Sequence, residues 1–306
     1  MASRIALRMK INGHKAIHCL LLLGAVSIML PACSASSTMR DLLGTSSTST
    51  SAASSGGALS PDLAAAGQGD AVATLYNDGL SKLNAGSYKS AAKSFAEVER
   101  QHPYSKWATK ALLMQAFAYY QLNSYDDCIN SANRFITLHP GHRDSAYAYY
   151  LTAISQYEQI SDVRRDQSAA QKALESLDEV SRRFPESPYA ADAAKKSLLA
   201  KDHLAAKEMD VGRYYMKKGS YLAGINRFKK VVTDYQTTTQ TPEALYRLTE
   251  GYMALGVVSE AQTAAAVLGH NFPNSQWYKD AYTIVSSNGQ QPVENQSSWI
   301  SRLFRG

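Results

Sequence analysis

Between Leu75 and Pro103 apolar residues recur at helical spacing on both sides of one break. Leu75, Leu80 and Leu83 come before Ala85-Gly86-Ser87. Ala91, Ala92, Phe95 and Val98 come after it, and His102-Pro103 closes the run. The pattern predicts two antiparallel helices, from about Ala71 to Asn84 and from Tyr88 to about Gln101. Gly79 and Ala91 are small where those helices must pass closely. One such hairpin cannot bury its own apolar face, so the rest of the chain is expected to supply neighbours.

The same register returns four times. The second unit, about Ser105 to Pro140, carries Leu112, Ala116 and Tyr119, then Cys128, Ala132 and Phe135. The third pairs Asp144–Ile160 with Gln167–Phe184 and fills the pattern with Ala153, Ala173, Leu177 and Val180, ending at Pro185. Its two helices are joined by a charged connection, Ser161 to Asp166. The fourth has Gly212 and Tyr215, then Gly224, Phe228 and Val231, with Gln236 where the others have proline. An alanine- and lysine-rich segment, Pro188 to about Leu204, precedes it and is placed to run on into its first helix. The fifth has Tyr252, Ala261, Ala265 and Leu268, and closes on Pro273. Small, small, aromatic, proline at these intervals is the tetratricopeptide spacing. The expected fold is therefore all-α: a tetratricopeptide-repeat solenoid of five imperfect helical hairpins over residues 71–285.

Both ends break the pattern. Residues 4–15 are basic, and Ile17 to Leu30 is an apolar run of signal-peptide length. The run closes on Leu30-Pro31-Ala32-Cys33, which resembles a bacterial lipobox, with Pro31 its less usual occupant. The resemblance implies that residues 1–32 are removed, that Cys33 is lipidated, and, with Ser34 rather than aspartate next, that the product goes to the outer membrane. Acylation with more than one chain meets the requirement for stable anchoring. Residues 33–70 are read as the anchor and a flexible linker: from Ser34 the segment is rich in Ser, Thr, Ala and Gly and lacks aromatics. A coil of that length would span roughly 35 Å. Residues 286–306 are read as a polar spacer followed by Trp299–Gly306, whose Trp299, Ile300, Leu303 and Phe304 share one helical face. Eight residues gain about as much from burial as ordering costs them. This tail is therefore expected to fold only against a surface: a partner domain, a membrane, or the chain's own last repeat.

Charge and chemistry remove function classes. The net charge of +6 owes four positives to Arg4, Arg8, Lys10 and Lys15 of the leader, so the rest is close to neutral and nucleic acid is not an expected partner. The three cysteines, Cys19, Cys33 and Cys128, have no disulfide or zinc spacing. Cys19 lies in the leader, and Cys128, at a small-residue helix position, is expected to be buried and inert. His102 and His139 each precede a closing proline, where a histidine suits the helix dipole better than a metal. No phosphate loop, HExxH or nucleophile elbow is present, and Asp126-Asp127 and Asp162–Arg165 read as solvated charges. The reading is a non-enzyme with no cofactor and no metal.

Nineteen tyrosines point instead to a binding surface. In a tetratricopeptide array the first helix of each pair lines the concave side. Counting from its small residue gives Tyr76, Leu80 and Leu83, then Leu113, Phe117 and Tyr120, then Tyr147, Tyr150, Ile154 and Tyr157. Such a groove would hold an extended client peptide by ring area and hydroxyl hydrogen bonds. The alternative is that these rings pack repeat on repeat.

With the lipobox and the repeats, the stretches QHPYSKWATKALLMQAFAYYQL, RFITLHPGH and Tyr221-Leu-Ala-Gly-Ile-Asn-Arg227 resemble the BamD family, the lipoprotein subunit of the outer-membrane β-barrel assembly (BAM) machinery. The resemblance spans about Leu75 to Val285 plus Cys33. It implies a lipid anchor on the periplasmic side of the outer membrane, docking of the C-terminal repeats on BamA, association with other BAM lipoproteins, and receipt of unfolded barrel proteins by the N-terminal repeats. Asn226 and Arg227 match the family's BamA-contacting Asn-Arg pair. The linker after Cys33 is longer than the family's, and the connection after Ile160 is shorter. A periplasmic tetratricopeptide lipoprotein coordinating envelope division or peptidoglycan synthesis is the alternative, though no heptad run precedes the repeats. A lipoprotein enzyme lacks a site.

Overall fold

The computed structural model describes residues 61–305; the leader, Cys33 and most of the linker lie outside the described residues. Twelve α-helices follow one another in those residues. In chain order they are α1 (Pro61–Asn84), α2 (Tyr88–Gln101), α3 (Lys106–Gln121), α4 (Tyr125–Leu138), α5 (Ser145–Glu158) and α6 (Ser168–Arg183). Then come α7 (Ala190–Lys217), α8 (Tyr221–Asp234), α9 (Thr241–Ala254), α10 (Val258–Asn271), α11 (Gln276–Ser287) and α12 (Trp299–Arg305). From α1 to α10 each helix packs on the next. The fold is all-α and of the tetratricopeptide class. No helix among the described residues is long and apolar enough to cross a membrane.

Side-chain size sets how closely paired helices approach. A Cβ added at Gly79 would lie 2.7 Å from a ring carbon of Phe95, and one at Gly212 would lie 2.4 Å from Phe228. The fully buried residues of the second helices repeat at two registers: Phe95, Ala132, Leu177, Phe228 and Ala265 stand seven residues before the residue that closes the helix, and Val98, Phe135, Val180, Val231 and Leu268 stand four before it. Phe95 and Phe228 lie against the small residues Gly79 and Gly212 of their partner helices.

Two kinds of turn join the helices. Within four of the pairs the chain reverses through a left-handed residue: Gly86, Gly219 and Gly256 at φ 72–73°, and Asn123 at φ 59° in the α3–α4 turn. Asparagine tolerates that conformation better than other residues with a Cβ. Between pairs, the residue after the second helix is His102, His139, Phe184, Tyr235 or Phe272, and its backbone N–H donates to the carbonyl four residues back. The two histidines therefore hold the place that aromatic rings hold elsewhere, and His139 packs 5.5 Å from Phe135.

One boundary differs from the sequence expectation. The first helix starts at Pro61, so the expected linker end at Asp70 falls inside α1. Proline is at home at a helix's first position, and the alanines after it favour helix without any apolar period to betray them. As expected, the alanine- and lysine-rich segment after Pro188 runs on into the fourth unit's first helix; together they form α7, which spans 28 residues and packs along both α6 and α8. The loop after α8, which lacks a closing proline, is pinned by Asp202 of α7: its Oδ1 accepts from the Thr239 backbone N–H at 2.8 Å.

The tail has found its surface on its own chain. Ile300 and Ser301 of α12 are fully buried, and Ile300 belongs to the core of the last two pairs. Trp299 Nε1–H donates to the Tyr252 hydroxyl at 3.3 Å, and Lys229 Nζ lies 4.7 Å above the indole. Ser298 donates to Glu260 at 2.7 Å, and the Asn295 N–H donates to Thr263 Oγ1 at 3.1 Å. Gln236, the residue that replaces proline, reaches the Leu303 carbonyl at 3.4 Å.

Candidate functional site

The predicted groove positions divide into buried and accessible sets. Tyr76 is 3% exposed, with its ring 5.5 Å from Phe95 and 4.9 Å from Trp107. Burial pushes its phenol up to about 12. It is a packing residue, and the groove expectation fails there because Phe95 and Trp107 close over it. Leu83, Leu113 and Ile154 are buried in the same way. Leu80, Phe117, Tyr120, Tyr147, Tyr150 and Tyr157 are half-buried and keep an accessible edge.

Four of these accessible residues gather around α5 and the start of α7. The Tyr150 ring stacks on Tyr189 at 5.0 Å, and Tyr147 lies 5.2 Å from the same ring. The Tyr150 hydroxyl donates to Asp192 Oδ2 at 2.6 Å, and Lys196 Nζ stands 2.9 Å from that oxygen. Lys196 also lies over the Tyr157 ring at 5.9 Å. Partial burial works to raise the Asp192 carboxyl, but the hydrogen bonds from Tyr150 and Lys196 outweigh it and hold it low. Burial raises the Tyr147 phenol well above its ordinary value, and the neighbouring Tyr189, Cys128, Tyr150 and Tyr120 groups push the same way. Tyr120 lies 6.0 Å from Tyr125. Beneath them Cys128 is buried, and burial pushes its thiol to about 11 despite hydrogen bonds with Ser155 and the Tyr120 backbone. That thiol is poorly suited to react.

Tyr189, Asp192 and Lys196 escaped the sequence reading, because the count was anchored on the small residue of each unit's first helix. The i,i+4 spacing of Asp192 and Lys196, just after an aromatic residue, was their only signal.

The second site lies on α8. Arg227 and Lys230, one turn apart, both reach the carboxylate of Glu208 on α7. Arg227 Nη1 donates to Oε2 at 3.1 Å, and Lys230 Nζ to Oε1 at 2.7 Å. The Glu208 side chain is 12% exposed and that of Arg227 is 44%. Burial alone would raise the Glu208 carboxyl; the hydrogen bonds from Lys230 and Arg227, and their charges, bring it below its ordinary value. Tyr215, Ala223, Asn226, Arg227 and Lys230 line a concavity of about 260 Å³. Asn226 also walls a second concavity, about 520 Å³, with Tyr221, Leu222 and Leu255 at the turns of the last two pairs. Leu222 is 65% exposed, and Tyr214 and Leu255 are exposed nearby in the sequence of the same turns. Two cations share one carboxylate here, and Leu222 and Leu255 of the second concavity leave apolar side chains uncovered.

A profile of the family described as outer membrane lipoprotein (YfiO) matches residues 69–268. The outer membrane protein assembly factor BamD of Caulobacter vibrioides is 48% identical over 222 residues, covering 72% of this chain and 73% of that protein. The protein of the same name from Rickettsia prowazekii is 46% identical over 216 residues, covering 71% and 86%. That from Neisseria meningitidis serogroup A is 34% identical, covering 69% and 83%. Among solved structures, a tetratricopeptide protein of Thermus thermophilus aligns at TM-score 0.33 and 18% identity, covering 71% of this chain and 97% of that one.

Proposed function

The chain belongs to the BamD family of outer-membrane lipoproteins, and from that premise we propose that it is the scaffold that joins BamA to unfolded barrel proteins. It is an outer-membrane protein assembly factor and not an enzyme. In the proposed arrangement the α8 face of Asn226 and Arg227 docks on BamA. The tyrosine face of α3, α5 and α7 receives the unfolded client. Lipidated Cys33 holds the protein on the periplasmic side of the outer membrane, and mass spectrometry of the mature N-terminus checks it: a free amine on any residue other than Cys33 excludes it.

The observation that carries the docking reading is the state of Arg227. It stands exposed on one concavity, held on one side by Glu208, and its neighbour Asn226 is shared with a second concavity that Leu222 and Leu255 line. Its planar guanidinium suits bidentate pairing with a partner carboxylate. Truncating one member of a buried charge pair costs about 2–5 kcal/mol of binding. Arg227→Ala is therefore expected to reduce recovery of BamA from solubilised envelope at least tenfold while helicity is unchanged. Full recovery of BamA with the variant would refute the docking face.

A further inference from the structure

Glu208 is 19 residues before Arg227, on a different helix, and has no place in the tetratricopeptide pattern. Yet it is the least exposed member of the α8 cluster. Its two oxygens are divided: one takes Arg227 and the other takes Lys230. Neither cation is held by both oxygens, so the contact from Arg227 uses a single Nη1 and leaves the rest of the guanidinium fork for another acceptor. The carboxylate comes from α7, which is anchored along both α6 and α8. It thus ties two long side chains of α8 to a rigid neighbour.

We propose that Glu208 is the positioning residue of the docking site: it holds Arg227 and Lys230 at fixed spacing, so that docking does not have to order them. This rests on the docking reading above. A long cationic side chain loses rotamer freedom when it is immobilised at an interface, and a side chain ordered beforehand loses less. The depressed carboxyl of Glu208 keeps the tether charged. A competing role is the physical alternative, in which Glu208 must release Arg227 before a partner can take it. The single-oxygen contact and the exposed remainder of Arg227 favour positioning over competition.

The test uses the full mature chain in detergent, with Glu208→Gln, Arg227→Ala and the double variant, titrated with full-length BamA. Glu208→Gln keeps the shape and removes the charge. The expected result is about fivefold weaker binding for Glu208→Gln. The double variant should lose clearly less than a further fivefold relative to Arg227→Ala alone, since only Lys230 is then left for Glu208 to position. In the free chain, 15N relaxation of the Arg227 Nε–H should report an ordered side chain that becomes mobile in Glu208→Gln. A purely structural role for Glu208 would leave that order unchanged and make the two losses add, which overturns the proposal. Tighter binding by Glu208→Gln also overturns it, by showing competition. If Arg227→Ala binds normally, the docking reading fails and the proposal with it. If Arg227→Ala loses binding and Glu208→Gln does not, only the proposal fails.

Discussion

Tyr76 of α1 and Tyr150 of α5 hold equivalent places, each three residues before the small residue of its helix, Gly79 or Ala153. The first is sealed between Phe95 and Trp107. The second is half-buried and ends on the carboxylate of Asp192. At the same register the first helices of the second and fourth units carry Leu113 and Met209, both buried, and the fifth carries Tyr246, half-buried with its ring 5.3 Å from Trp277. The position is core in three units and half-open in two. In the third unit the next helix offers a tyrosine and a carboxylate in place of an apolar seal. Repeat register fixes where a side chain points; the neighbouring unit decides whether anything covers it.

The contrast between core register and open register is sharpest between Phe228 and Phe117. Phe228 is fully buried against Gly212, and Phe117 is half-buried on α3. Phe228→Ala is expected to lower unfolding free energy by about 3–5 kcal/mol, the range for a buried ring removed from a core. Phe117→Ala is expected to cost only about 1 kcal/mol. Its larger effect should be on capture of a synthetic peptide with the sequence of a barrel's last strand, with cross-linking from Tyr120 to that peptide falling several-fold. Equal destabilisation by the two substitutions, measured by urea unfolding, would show that Phe117 is core and leave the client face without its aromatic edge on α3.

Much of this was legible from spacing alone. Gly79, Phe95, Gly212 and Phe228 announce the close helix pairs, because only a small residue fits opposite a ring at that distance. The exposed Asn226 and Arg227 were legible through family resemblance and not through periodicity. Contacts between units were not legible. Tyr150 with Asp192 is 42 residues apart and Gln236 with Leu303 is 67, and no local pattern encodes which surfaces meet over such separations. The start of α1 was missed for a different reason: an alanine-rich helix has propensity without an apolar stripe. The tail's apolar face was legible, but the identity of its partner surface required the fold.

The pair Tyr76 and Tyr150 yields a last and smaller test, which uses pH. Tyr76 has its phenol raised to about 12 in the folded chain by burial, against about 10 when unfolded. Between those values the folded state keeps a proton that the unfolded state has lost. Stability must then fall as pH rises, with the full contribution present below pH 10 and the loss complete above 12. At pH 11 this one residue is expected to cost about 1.4 kcal/mol relative to neutral pH. Tyr76→Phe removes the proton and with it that part of the slope. Unfolding free energies of the variant and the parent chain should therefore converge or cross toward the variant between pH 9 and 11, by about that amount. Tyr147, whose phenol burial also raises, leaves an alkaline slope in both proteins, so the difference between them is the quantity to read. Parallel curves for parent and variant would mean that water reaches the Tyr76 hydroxyl. The first unit would then resemble the third, and the distinction between a sealed N-terminal tyrosine and an open central one would be lost.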